Sequence, residues 1–295
     1  MSDVNSGVLY VATGADFVNE AKISAKQLKE VMPEVDVTVF SDRQVNSPHF
    51  DSTVHIDSPT YSFLDKVKSI RRSPYQKTLY LDTDIYVNEP VYELFDVLDH
   101  FDMAAAIDAH QQSVIPNDEY AAPEIYTGEY DPVPEFNCGL ISFRNNPRVR
   151  ECFEAWESKY NTTTDWADQP SLMHAFQHSD VRYCPLPPRY NYIPGLRNSV
   201  SGIVKIFHNR LNSGMEMGYK DAPPQQLPQV IERVNQTPEA RVTYPYLGKI
   251  EDYTDLEVFT EDPVLRQVLK SFWRLGPSKA AKFWVRKLRE ATTGG

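Results

Sequence analysis

Short apolar runs alternate with helix-spaced segments from Val8 to Phe207, and this alternation constrains the fold more than any other feature of the chain. Val8–Ala12 has the length and β-branching of a buried strand, and Phe17, Val18, Ala21, Ala25, Leu28 and Met32 follow at helical spacing. Val35–Phe40 reads as a second strand, Lys66–Arg72 as a helix stopped by Pro74, and Lys77–Leu81 and Met103–Ile107 as further strands. Phe136–Phe143 reads as a strand, Arg148–Tyr160 as a helix and Ile203–Phe207 as another strand. Such β-α-β alternation predicts an α/β fold, a mostly parallel sheet with helices on both faces.

Two stretches break the rhythm. Residues 111–135 and 185–200 are proline-rich and lack periodicity, as functional loops do. Beyond about residue 210 the pattern weakens, leaving a helix expected near Gln225–Val234 and two basic helical segments, Pro263–Arg274 and Ser278–Arg289. The expected organisation is a sheet domain over residues 1–212 and a small helical extension over 213–295.

Bulk composition excludes several classes of function. The net charge of −11 argues against nucleic-acid binding, because a phosphate backbone selects a basic surface. The three cysteines, Cys138, Cys152 and Cys184, form no C-x-x-C pair, so neither a disulfide framework nor a zinc site is indicated. A reducing, cytoplasmic setting is expected. The first residues lack a basic segment followed by a long apolar core, and no apolar run is long enough to span a bilayer. The sequons at Asn161 and Asn235 are read as chance matches on the same grounds.

The chemistry concentrates in Lys77-Thr-Leu-Tyr-Leu-Asp82-Thr-Asp84, an apolar strand ending on two carboxylates one residue apart. In parallel sheets ligands bind at the carboxyl ends of the strands. Two carboxylates there repel each other unless a cation lies between them. A hard divalent cation takes oxygen from one or two carboxylates and completes its shell with substrate phosphates. The pair therefore points to a metal that holds a diphosphate.

Read from Tyr75, the segment Tyr75-Gln-Lys77-Thr-Leu-Tyr-Leu-Asp82-Thr-Asp84 resembles the D-x-D motif of GT-A glycosyltransferases, and most resembles family 8, the glycogenin and lipopolysaccharide galactosyltransferase group. That resemblance implies a GT-A fold and a metal-dependent transfer from a nucleotide sugar. It implies roles for Val11, Ala12 and Thr13 at the first strand end, on the nucleoside, and for Lys66, sixteen residues before Asp82, on the donor. Asp82 and Thr83 belong to the same donor contact. Phe136-Asn137-Cys138-Gly139 resembles the signature whose asparagine touches the donor sugar, with Gly139 admitting close backbone approach. Asp108 resembles the strand-end aspartate near the transferred sugar, and Asp168-Gln169 the pair beside the anomeric carbon. His208 resembles the third metal ligand after Asp82 and Asp84. The chain departs from the family after this histidine: the usual H-x-x-G-x-x-K-P-W is His208-Asn-Arg210-Leu-Asn-Ser-Gly214, with Arg210 as the candidate phosphate cation in place of the lysine.

The implied cofactor is Mn²⁺ or Mg²⁺, with the imidazole favouring manganese, and the implied donor a UDP-sugar. Retention of anomeric configuration is implied as well, with Asp168 the nearest nucleophile if the mechanism is not front-face attack. The acceptor, a glycan, a lipid-linked sugar or a protein, is left to residues 111–135, 185–200 and the extension, where Tyr126, Tyr130, Trp166 and Tyr190 are candidate stacking surfaces. The aromatic and basic tail from Phe272 to Arg289 suits an interfacial helix on an anionic membrane or a helix packed on the acidic domain. Two other classes compete. A nucleotidyltransferase would carry a glycine-rich, basic phosphate loop, whereas Val11–Asn19 has one glycine and no lysine. The other is a catalytically silent sugar- or protein-binding domain on the same fold, against which the intact Asp82, Asp84, Asp168 and His208 argue.

Overall fold

Apolar residues on both faces of the same strands force two helical layers on one sheet, and the computed structural model has that architecture. It describes residues 5–108, 135–160, 167–194, 199–215, 222–236 and 241–242. All of these lie in one compact unit, residues 1–244; residues 245–295 lie outside the described residues, and the predicted tail helices fall there.

The strands are β1 (Ser6–Ala12), β2 (Asp36–Ser41), β3 (Ser52–His55), β4 (Lys77–Leu81), β5 (Ile85–Val87), β6 (Met103–Ile107), β7 (Phe136–Arg144), β8 (Tyr183–Leu186), β9 (Ser199–Val200), β10 (Ile206–His208) and β11 (Arg241–Val242). The helices are α1 (Ala15–Val31), α2 (Phe63–Ile70), α3 (Glu93–Asp96), α4 (Pro147–Tyr160), α5 (Gln169–Gln177) and α6 (Leu227–Gln236). The main sheet has seven strands in the order β3-β2-β1-β4-β7-β6-β8, and only β7 runs against the rest. Two small antiparallel pairs, β5 with β10 and β9 with β11, stand beside it.

Alternate residues of β1 serve the two layers. Val8, Tyr10 and Ala12 pack on Val18, Ala21, Ala25 and Leu28 of α1. Leu9 faces the opposite way, with Val67 and Ile70 of α2 and Phe153 and Trp156 of α4. Nearly every side chain of these inner strands is buried, as a sheet covered on both faces requires. Two elements differ from the sequence pattern. β3 is a polar, mostly exposed edge strand, so it offers no apolar run. β8 carries Pro185 at the opposite edge, a position where a missing N–H is tolerated. The helix expected near Gln225–Val234 is α6, and its Leu227 packs with Val204 and Phe207.

β7 is irregular where it nears the site. Phe136, Cys138, Ile141 and Phe143 share one face although strict alternation would separate the first pair from the second. The register against β6 shifts between Ala105 and Ile107, which marks a bulge. Gly139 lies within this irregular stretch, and its carbonyl accepts from the Asp82 N–H at 2.8 Å.

Candidate active site

β4 ends at Leu81, and the next three residues form the Asp82-Thr83-Asp84 turn before β5. β10 pairs antiparallel with β5 and sets His208 opposite Ile85. Two three-residue strands thus bring a distant histidine to the turn. One ligand atom from each of Asp82, Asp84 and His208 lies within 4.8 Å of the others. His208 Nε2 is 3.2 Å from Asp84 Oδ1. Its Nδ1 is 3.0 Å from Asn191 Oδ1, an acceptor that fixes the ring and turns Nε2 toward the carboxylates. The Asn209 N–H donates to the Asp84 carbonyl at 2.8 Å, closing the turn against the segment after β10.

The ring has room because residue 139 is glycine. A Cβ there would lie 2.4 Å from His208 Cε1. Burial opposes the Asp84 charge, but His208 and Arg210 beside it hold its carboxyl well below the usual carboxylate range. Two carboxylates and an imidazole, partly buried and ordered by second partners, fit a divalent cation.

Lys66 enters the same site from α2. Ser62 caps this helix by accepting from the Leu64 N–H, an arrangement worth about 1 kcal/mol. Val67 and Ile70 bury the helix against the sheet, and Lys66 extends beneath it, only 5% exposed. Its ammonium lies 2.6 Å from Asp168 Oδ2 and 3.3 Å from Asp82 Oδ1. Burial pulls the lysine pKa down, yet Asp168 and Asp82 outweigh it and raise it, so Lys66 stays charged. Burial also presses the Asp168 carboxyl upward against the pull of Lys66, with Asp82 adding to the push. The Tyr80 hydroxyl donates to Asp82, and burial followed by that carboxylate keeps the phenol protonated. Burial pushes the Cys138 thiol up too, so it is no nucleophile.

A cleft of about 540 Å³ opens at this end of the sheet. Val11, Thr13, Lys66, Asp82, Thr83, Asp84 and Arg210 all line it. The Ala12 methyl does not: it belongs to the core under α1. Phe17, Tyr61 and Phe63 form aromatic walls that no motif singles out, each at least 41% exposed. Tyr61 takes a positive φ of 55°, uncommon for an aromatic residue, and its N–H donates to Asp65 Oδ2 at 2.8 Å. The Thr13 hydroxyl donates to the same oxygen at 2.9 Å.

The remaining predicted residues form a second, buried cluster. Asn137 Nδ2 donates to Asp108 Oδ2 at 2.9 Å and to Gln169 Oε1 at 3.0 Å. Gln169 Nε2 donates to Asp108 Oδ2 at 3.1 Å and to Glu135 Oε1 at 2.9 Å. Asn137 Oδ1 accepts from the Gly139 N–H at 2.9 Å. This network ties the ends of β6 and β7 to the start of α5, and the adjacent Asp168–Lys66 pair joins it to the cleft. Glu135, wholly buried, is a member that no sequence motif marks. Tyr190 is not a stacking surface: it is buried in the core and its hydroxyl donates to Glu93 at 2.9 Å. Tyr126, Tyr130 and Trp166 lie outside the described residues.

The sequence model described as Glycosyl transferase family 8 matches residues 7–210, which include Asp82, Asp84, His208, Lys66 and the Asp108–Asn137–Gln169 cluster. The chain belongs to glycosyl transferase family 8. It is therefore a glycosyltransferase, and its doubly covered sheet is the GT-A fold. Solved structures with a similar backbone include the galactosyltransferase LgtC in complex with donor and acceptor sugar analogues. That pair is 16% identical with a TM-score of 0.46, over 64% of this chain and 76% of LgtC. The glycosyltransferase GlyE of Streptococcus pneumoniae TIGR4 is 16% identical with a TM-score of 0.46, over 65% of this chain and 48% of GlyE. Mouse xyloside xylosyltransferase 1 is 14% identical with a TM-score of 0.49, over 72% of this chain and all of the mouse chain. No curated protein sequence matches significantly.

Proposed function

We propose that this family 8 glycosyltransferase is cation-dependent and uses a UDP-sugar, transferring the sugar with retention to a glycan, lipid-linked or protein acceptor. The observation that carries the reading is the Asp82–Asp84–His208 set, whose ligand atoms lie within 4.8 Å at the edge of the 540 Å³ cleft. Asp82, Asp84 and His208 hold the cation, Mn²⁺ in preference to Mg²⁺ because imidazole is a ligand. A divalent cation bound there supplies Lewis-acid neutralisation of the departing diphosphate.

The chain's own groups do the rest. The Lys66 ammonium, fixed by two carboxylates, adds positive charge where the leaving group gains negative charge. Arg210, at the other side of Asp84, contacts the phosphates that the family's absent lysine would hold. Val11 and Thr13 position the nucleoside, and Phe17, Tyr61 and Phe63 exclude water around it. Asn137, Asp108 and Gln169 hold the sugar, and Asp168 acts at the anomeric centre. Residues 1–212 supply the donor chemistry, and the segments beyond 213 serve the acceptor, including contact with an anionic membrane through the basic tail. No helix among the described residues is long and apolar enough to cross a membrane.

The test is a panel of UDP-, GDP-, dTDP- and CMP-sugars incubated with Mn²⁺ or with chelator, with free nucleotide measured by chromatography. Slow UDP release from one or a few UDP-sugars is expected, in Mn²⁺ only. Release from GDP-sugars alone, or equal release in chelator, would overturn it.

A further inference from the structure

Helix α1 carries a polar stripe on its buried side. Glu20, Ser24 and Gln27 are spaced so that they share one face. Two members have a plain structural task. β5 pairs with β10 along one edge only, and its other edge would leave backbone groups unmet. Ser24 donates to the Ile85 carbonyl at 2.5 Å, while Gln27 donates to the Val87 carbonyl and accepts from the Val87 N–H at 2.8 Å.

Glu20 has a different set of partners. Its carboxylate is wholly buried and binds two separate segments of the site. Oε2 accepts from the Thr83 hydroxyl at 2.8 Å, between the two carboxylates of the turn, and from Arg210 Nη1 at 2.9 Å. Oε1 accepts from the Leu211 N–H at 2.9 Å and the Asn212 N–H at 3.4 Å. A buried carboxylate is costly unless its lone pairs are met, and an apolar residue would pack more cheaply on this helix face. Arg210 Nη1 also stands 3.2 Å from Asp84 Oδ2. A guanidinium at that distance competes with any cation for Asp84.

We propose that Glu20 is a positioning residue for the cation site. It locks the Asp82-Thr83-Asp84 turn to residues 210–212, which directly follow His208 and β10, and it holds Arg210 by counter-charge so that Asp84 remains available to the metal. The inference rests on the reading of Asp82, Asp84 and His208 as the cation site. Glu20→Gln tests it with little change of shape. The glutamine oxygen keeps the two backbone bonds, while its amide can accept from neither Thr83 nor Arg210.

The measurement is Mn²⁺ affinity of the full chain without nucleotide, read from the electron paramagnetic resonance of free Mn²⁺, with thermal unfolding in parallel. Glu20→Gln is expected to weaken Mn²⁺ about 10- to 100-fold, the usual effect of losing a group that orients metal ligands. Thr83→Val should weaken it less and in the same direction. Adding Arg210→Gln to Glu20→Gln should restore part of the affinity, which a mere loss of packing would not allow. Wild-type affinity in Glu20→Gln overturns the proposal, and a double variant as weak as the single one overturns the role given to Arg210. If Glu20→Gln does not fold, unchanged affinity in Thr83→Val overturns it. If the wild-type chain itself binds no Mn²⁺, the cation reading fails first and the role of Glu20 falls with it.

Discussion

Gly139→Ala places one methyl group against His208, the proposed third metal ligand, and the cost can be worked from distances. The added Cβ would sit 2.4 Å from His208 Cε1 and 2.9 Å from both His208 Nδ1 and Asn137 Oδ1. Carbon atoms in contact settle near ~3.5 Å, so the ring must retreat by about 1 Å. Metal–ligand distances tolerate only about 0.2 Å, so His208 cannot both clear the methyl and keep its place. We expect Mn²⁺-dependent UDP affinity to fall about 10- to 100-fold, equivalent to about 1.4–2.8 kcal/mol. Overpacking beside the bulge should separately cost stability of about 1–3 kcal/mol. Titration calorimetry of UDP at fixed Mn²⁺ reads the first effect and urea unfolding the second. The decisive control is the same substitution in a His208→Ala background, where the conflict with the imidazole is gone, only the contact with Asn137 Oδ1 remains, and most of the affinity loss should vanish. Wild-type affinity in Gly139→Ala, or an equal loss without His208, would refute the reasoning.

Other substitutions test separate parts of the account. Gln27→Leu strips the Val87 N–H and C=O of their partners, so urea unfolding should show a loss of about 2–4 kcal/mol; a loss under about 1 kcal/mol would mean that water replaces the amide there. Asp168→Asn should lower kcat by about two orders of magnitude or more while UDP–Mn²⁺ affinity stays within a few-fold; lost binding would move Asp168 to the folding or cation story. Asp102, 2% exposed, has its carboxyl lowered from 3.8 to about 2: burial opposes its charge, and bonds from Arg182 and Asn146 outweigh the burial. Its folded pKa lies below the unfolded one, so its contribution of about 2 kcal/mol is complete above about pH 4 and is lost as pH falls through about 2. The stability gap between wild type and Asp102→Asn should therefore be flat near neutrality and close in that acid window, and a gap that persists at about pH 2 contradicts it.

Much of this arrangement was legible in the sequence, and the gaps have physical causes. Buried parallel strands announce themselves as apolar runs, so β4 and β6 fall on the expected residues, Lys77–Leu81 and Met103–Ile107. The strand expected at Ile203–Phe207 is shorter and later, Ile206–His208, because only those residues pair with the three-residue β5. A lysine on an amphipathic helix ordinarily points to water, and only the tertiary placement of Asp82 and Asp168 shows why Lys66 is buried. For the same reason no motif marks Glu20 or Glu135, since a carboxylate is retained in the interior by donors that come from distant segments. One signal was available: Glu20, Ser24 and Gln27 recur at helical spacing on the side of α1 whose neighbours are apolar. Asn191 could not be found, because its contact with His208 depends on the path of an irregular segment.

The central claim is that Asp82, Asp84 and His208 together hold the divalent cation that serves the donor diphosphate. Anomalous diffraction at the manganese edge, from crystals grown with Mn²⁺ and UDP, tests it most directly. One strong peak is expected within bonding distance, about 2.0–2.4 Å, of all three side chains and of the diphosphate oxygens. UDP bound in the cleft with no peak there, or a peak whose ligands exclude His208 and Asp84, would contradict it.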